Sequence, residues 1–83
     1  MRLLGIDPGV GGGLCCVDED GGATAFAMPG TARDLPDVLR RLAPGRAYVE
    51  KVGTMPTDAA RSARTFATNC AWIEMALIAL EIP

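Results

Sequence analysis

The chain has 83 residues, which is room for one small domain that buries only about 60% of its unfolded surface. Nearly half of it is apolar (49%), enough to fold, and a formal net charge of −2 lacks the strongly basic balance that marks bulk nucleic-acid binding. Three cysteines with no Cys-x-x-Cys spacing, and no histidine, argue against a zinc site and a disulfide framework and for a reducing cytoplasm.

The first element is the apolar run Arg2 to Asp7, a buried strand that ends on a carboxylate. Pro8 and Gly9 stop it, because proline cannot donate to a ladder and glycine allows a sharp turn. Gly11, Gly12 and Gly13 leave the space beside Asp7 open. An acid at the carboxyl end of a buried strand, facing an open turn, is where an α/β sheet places metal or phosphate chemistry. The alternative is a turn whose Asp caps local amides.

Gly12 to Val17 is a second strand, and Ala23 to Met28 a third. The Asp18-Glu19-Asp20-Gly21-Gly22 turn between them reads as a solvated hairpin tip rather than a metal site, so the three strands should form an antiparallel meander. Cys15, Cys16 and Cys70 read as small buried hydrophobes.

After Pro29-Gly30 a helix is expected from Thr31 or Asp34 to Ala43. Leu35, Val38, Leu39 and Leu42 give it one apolar face. Pro36 fits only a first turn, which favours Asp34 as the N-cap. Arg40 and Arg41 suit the last turn, and Pro44-Gly45 ends the helix.

Arg46 to Val52 is a fourth strand. A helical crossover between strands of one sheet makes it parallel to the first, giving a mixed α/β sheet of order 3-2-1-4. Neighbouring strands lie ~4.8 Å apart, so Asp7 and Glu50 meet at one edge of the sheet. Two carboxylates that close repel unless a cation lies between them, and hard divalent cations take such oxygen ligands. An ion pair of Glu50 with Lys51 or an arginine is the plainer alternative.

A loop from Gly53 to Thr57 leads to a long helix, capped by Thr57 or Asp58 and running over 58–80. Ala59, Ala63, Phe66, Cys70, Ile73, Leu77 and Leu80 form the stripe expected on the sheet. Trp72, Met75, Ala76 and Ala79 form a second apolar stripe. The first turns are polar, with Arg61, Arg64 and Asn69. Glu81-Ile82-Pro83 reads as the lead into another strand. No run approaches the ~18 apolar residues of a membrane span, and Arg2 is followed by too few residues before Asp7 for a signal peptide.

Ile6-Asp7-Pro8-Gly9, Tyr48-Val49-Glu50-Lys51-Val52, Met55-Pro56, and a helix with Phe66 and Asn69 occur in an order that resembles the RuvC family. These are Holliday-junction resolvases of the RNase H-like superfamily, and the likeness is greatest to the phage and prophage branch. The resemblance covers the whole chain and implies a partial RNase H-like domain over 1–83, truncated before the fifth strand. It implies a Mg²⁺- or Mn²⁺-dependent endonuclease acting on branched DNA, with Asp7 and Glu50 as catalytic metal ligands. Lys51, Arg61, Arg64 and Asn69 are then candidate DNA contacts, and the helix over 58–80 the contact of a homodimer. Two further acidic ligands of the family have no match here. Ala67 and Ala71 stand where the family's long helix carries glycines.

Two other classes remain open. Sugar kinases and chaperone ATPases also begin Gly-Ile-Asp-x-Gly before a hairpin, but Val10 to Gly13 offer phosphate no hydroxyl. A non-catalytic fragment that dimerises through the long helix is the other.

Overall fold

The computed structural model describes residues 1–9, 11–50 and 60–83, the side chains of 60–63 excepted. Six elements follow one another: β1 (Leu3–Asp7), β2 (Gly13–Val17), β3 (Ala23–Ala27), α1 (Asp34–Leu42), β4 (Arg46–Val49) and α2 (Ala60–Ala79). They form one four-stranded sheet of order β3-β2-β1-β4. β1 and β2 pair antiparallel, as do β2 and β3, while β4 lies parallel to β1. This is the mixed sheet that the hairpin turns and the single crossover imply.

Alternation decides which side of the sheet is covered. Leu4 and Ile6 of β1 and Leu14 and Cys16 of β2 are buried, and the residues between them are not. With Leu35 and Leu39 of α1 and Ile73 and Ala76 of α2 they make the core. Both helices therefore cover one face, and β3 is exposed along its whole length. Burying a side chain such as Leu39 or Ile73 contributes about 1.5–3 kcal/mol.

The α2 stripes need correction. Of the first stripe, Ile73 is buried, Leu77 and Leu80 pack against the core, and Phe66 and Cys70 are half-buried; Ala59 and the side chain of Ala63 lie outside the described residues. Ala76 is also buried and Trp72 packs against the core, so neither belongs to a second, free stripe. The apolar residues left outward are Met75 and Ile78, 65% and 62% exposed, with Ala71 and Ala79 beside them. The reason is geometric: α2 crosses above both α1 and the sheet, which widens its buried arc.

The helix ends also differ in detail. Asp34 is the first helical residue rather than the cap, and the cap position falls on Arg33, which makes no side-chain capping bond. Thr31 donates its hydroxyl to Asp34 Oδ2 at 2.9 Å, and the Asp34 amide donates to the Thr31 carbonyl at 3.2 Å. A turn at 31–34 thus precedes the helix and moves the closure three residues back. Ala43 ends α1 in the left-handed region, φ 47° and ψ 52°, with its amide on the Leu39 carbonyl.

Past α2, Glu81 takes φ 56°. The Ile82 amide then reaches the Leu77 carbonyl at 2.9 Å, and the Glu81 amide reaches Ile78 at 3.1 Å, the bond pair of a Schellman motif. The Pro83 carbonyl accepts the Ala47 amide at 2.8 Å, so the chain leaves α2 along the outer edge of β4. The expected cap of α2 at Thr57 or Asp58, and the end of the fourth strand at Val52, lie outside the described residues.

The β2–β3 turn is a hairpin tip with added work. Asp20 Oδ1 accepts the Gly22 amide at 2.9 Å, and Gly21 takes φ 89°, which glycine adopts without strain. Arg2 binds Asp18 Oδ1 at 2.7 Å and donates to the Leu42 carbonyl at 2.6 Å. One guanidinium thus ties the tip to the end of α1, a role its sequence position did not announce. Of the cysteines, only Cys16 is buried; Cys15 is exposed and Cys70 intermediate. Strand alternation turns Cys15 onto the uncovered face.

Candidate metal centre

Asp7 closes β1 and Glu50 follows β4 directly. Ile6 and Val49 are register partners, and the Glu50 amide continues the pairing onto the Ile6 carbonyl at 3.0 Å. One residue further on, Asp7 and Glu50 are therefore neighbours. Because Ile6 and Val49 turn to the core side, Asp7 and Glu50 turn to the other.

There both line an open trough of about 770 Å³ on the uncovered face of the sheet. Its floor is small: Gly5, Gly13, Cys15, Ala25 and Ala27. Tyr48, 59% exposed, stands at its side.

The turn after Asp7 shapes the first ligand. Asp7 Oδ1 accepts the Gly9 amide at 3.0 Å, so the local-capping reading is realised with one oxygen. The remaining lone pairs stay available to a cation. The Gly12 amide donates to the Gly9 carbonyl at 2.9 Å. A Cβ at Gly12 would overlap the Asp7 carbonyl oxygen, so the turn needs glycine there for close approach rather than for a special φ.

Glu50 is exposed and makes no ion pair among the described residues; the three pairs found join Met1 to Glu19, Arg2 to Asp18 and Asp37 to Arg40. Two carboxylates form a hard oxygen donor set suited to Mg²⁺ or Mn²⁺. Among the described residues no group of three His, Cys, Asp or Glu converges, so water must supply most of the shell. The residues fit a weak, open cation site.

Two of the four candidate DNA contacts fall among the described side chains. Lys51 lies outside the described residues, and so does the side chain of Arg61. Arg64 is exposed and lines a cleft of about 440 Å³ with Thr65, Thr68, Asn69, Trp72 and the Met28–Gly30 segment. Asn69 is half-buried and turned inward, donating Nδ2 to the Pro8 carbonyl at 3.1 Å. Nothing in its spacing showed that; only its place on the inner face of α2 could have hinted at it.

Among solved structures, T. thermophilus RuvC in complex with a Holliday junction substrate superimposes on the whole of this chain with a TM-score of 0.73 and 18% identity. The fold is that of RuvC. A second Thermus thermophilus RuvC structure matches all of the chain at a TM-score of 0.59 and 19% identity. The RuvC fold here is the RNase H-like one, with the mixed 3-2-1-4 sheet and two helices. This chain spans 63% and 61% of those two RuvC chains. No family model and no curated protein sequence matches it. No helix among the described residues is long and apolar enough to cross a membrane.

Proposed function

We propose that this chain is the part of a RuvC-like, metal-dependent endonuclease that carries its first two acidic ligands and engages branched DNA. The observation that carries the reading is the adjacency of Asp7 and Glu50 across parallel strands of a RuvC fold. Asp7 and Glu50 would hold a divalent cation, Mg²⁺ or Mn²⁺, which supplies Lewis acidity and a stronger nucleophile from water. The turn amide of Gly9 holds the Asp7 carboxylate in place. The glycine and alanine floor admits a phosphodiester backbone. Away from that floor, the exposed Arg64, and Lys51 and Arg61 by sequence position alone, are the cations offered to the DNA.

Cleavage of a junction needs more than these two ligands. Two-ion hydrolysis uses both ions, and two carboxylates cannot hold two. A second reading, binding without cleavage, is favoured by the donor count among the described residues, where no third His, Cys, Asp or Glu joins the two acids. The outward Met75–Ile78 face of α2 supports a homodimer, and three free cysteines suit a reducing cytoplasm.

Isothermal titration with Mn²⁺ tests the site. Weak binding is expected, with its heat lost in Asp7→Asn. Equal binding by the variant places the site elsewhere. Specific, symmetric nicking of a four-way junction by the pure chain would overturn the reading of binding without cleavage.

A further inference from the structure

We propose that Asn69 is a positioning residue for the Asp7 carboxylate, acting through the peptide plane between Pro8 and Gly9. The carbonyl of Pro8 and the amide of Gly9 belong to that one rigid plane. Asn69 Nδ2 donates to its carbonyl end at 3.1 Å. Its amide end donates to Asp7 Oδ1 at 3.0 Å. A helix residue thus sets the rotation of a plane whose other end holds the acid.

Three features make the linkage effective. Proline fixes its own φ, so the orientation of the Pro8 carbonyl comes down to a single torsion, ψ of Pro8. Pro8 is fully buried, and a buried carbonyl left unpaired costs free energy. Among the described residues, the other backbone bond of the turn, Gly12 to Gly9, leaves the Pro8 carbonyl untouched. Hydrogen bonds in series also polarise one another, which strengthens the Gly9 donor toward Asp7.

The pair spans 61 residues of sequence and joins α2 to the end of β1. A shift of α2 is therefore carried to the turn that holds the acid. Asn69, a candidate DNA contact by sequence, lines the cleft beside Arg64 while its amide nitrogen is held by the turn. The metal arm of the test below rests on the reading of Asp7 and Glu50 as a cation site, while the amide arm does not.

The experiment compares wild type with Asn69→Asp, which keeps the shape but loses the donor, and with Asn69→Ala. Amide hydrogen exchange at Gly9 is followed by NMR beside the β1–β2 ladder amides of Gly5 and Cys15, and Mn²⁺ affinity is measured by calorimetry. Both variants should release the Gly9 amide selectively, with ladder protection kept, and weaken Mn²⁺ binding about tenfold. Unchanged Gly9 exchange in either folded variant overturns the proposal. So does loss of ladder and Gly9 protection together in both, which would make Asn69 merely structural. Selective release of Gly9 in a protein whose wild type binds no Mn²⁺ keeps the positioning role and refutes the metal reading.

Discussion

Asp7 and Glu50 share one side of the sheet because Ile6 and Val49, the residues before them, are register partners packed toward the core. The two acids are adjacent in space, though 43 positions of sequence separate them (50 minus 7). A slip of one residue in the β1–β4 register would send one of them to the opposite side. The site therefore depends on the core beneath it.

A cation held there should stabilise the fold. At Mn²⁺ ten times above its dissociation constant, mass action adds about 1.4 kcal/mol, or roughly 6–10 °C in Tm for a domain of this size. Scanning calorimetry with and without Mn²⁺ measures it. Asp7→Asn and Glu50→Gln should each abolish the shift.

The turn after Asp7 should tolerate a methyl group at one glycine and not at its neighbour. At Gly12 a Cβ overlaps the Asp7 carbonyl, while at Gly11 it meets nothing within 4 Å. Gly12→Ala should cost about 1–3 kcal/mol in urea unfolding and weaken Mn²⁺ binding. Gly11→Ala should do neither.

Adjacent cysteines should differ in reactivity. Cys15 is exposed and Cys16 buried, and burial raises the Cys16 thiol above its ordinary range, which leaves less of the reactive thiolate. Iodoacetamide at pH 8 should label Cys15 in the native protein and Cys16 only on unfolding; peptide mass mapping reads this. A raised folded value means that the native state holds its proton longer. The Cys16 contribution to stability is then complete below the unfolded thiol pKa and declines as pH rises through the folded one.

Two helix ends carry a removable cost. Ala43 and Glu81 both sit at positive φ, where a residue with a Cβ is disfavoured by about 1–2 kcal/mol. Glycine loses more backbone freedom on folding, so Ala43→Gly and Glu81→Gly should each stabilise by a net of about 0.5–1 kcal/mol in urea melts. The two sites line one cleft, so the double variant measures whether they couple.

Association should run through the outward face of α2. Met75→Glu with Ile78→Glu removes the apolar patch without touching the buried Ile73 and Ala76. Sedimentation at tens of micromolar should show a wild-type dimer and a folded monomeric variant. A wild-type monomer at that concentration would count against the dimer.

Much of this was already written in the sequence, and for local reasons. Alternation in Leu3–Asp7 and Gly13–Val17, the Asp/Gly turn and the helical spacing of Leu35, Val38, Leu39 and Leu42 each depend on residues close in the chain. So do Pro8-Gly9 and the carboxylate before them. The handed crossover then made the first and fourth strands parallel neighbours, and Asp7 and Glu50 came together as a consequence. What the tertiary structure alone decided is the width of the buried arc of α2, which took in Trp72 and Ala76 and left Met75 and Ile78 outside. It also decided the inward turn of Asn69 onto Pro8 and the double anchor of Arg2. Each depends on where a distant element comes to rest, because a side chain's periodicity defines its face but not the neighbour that will meet it.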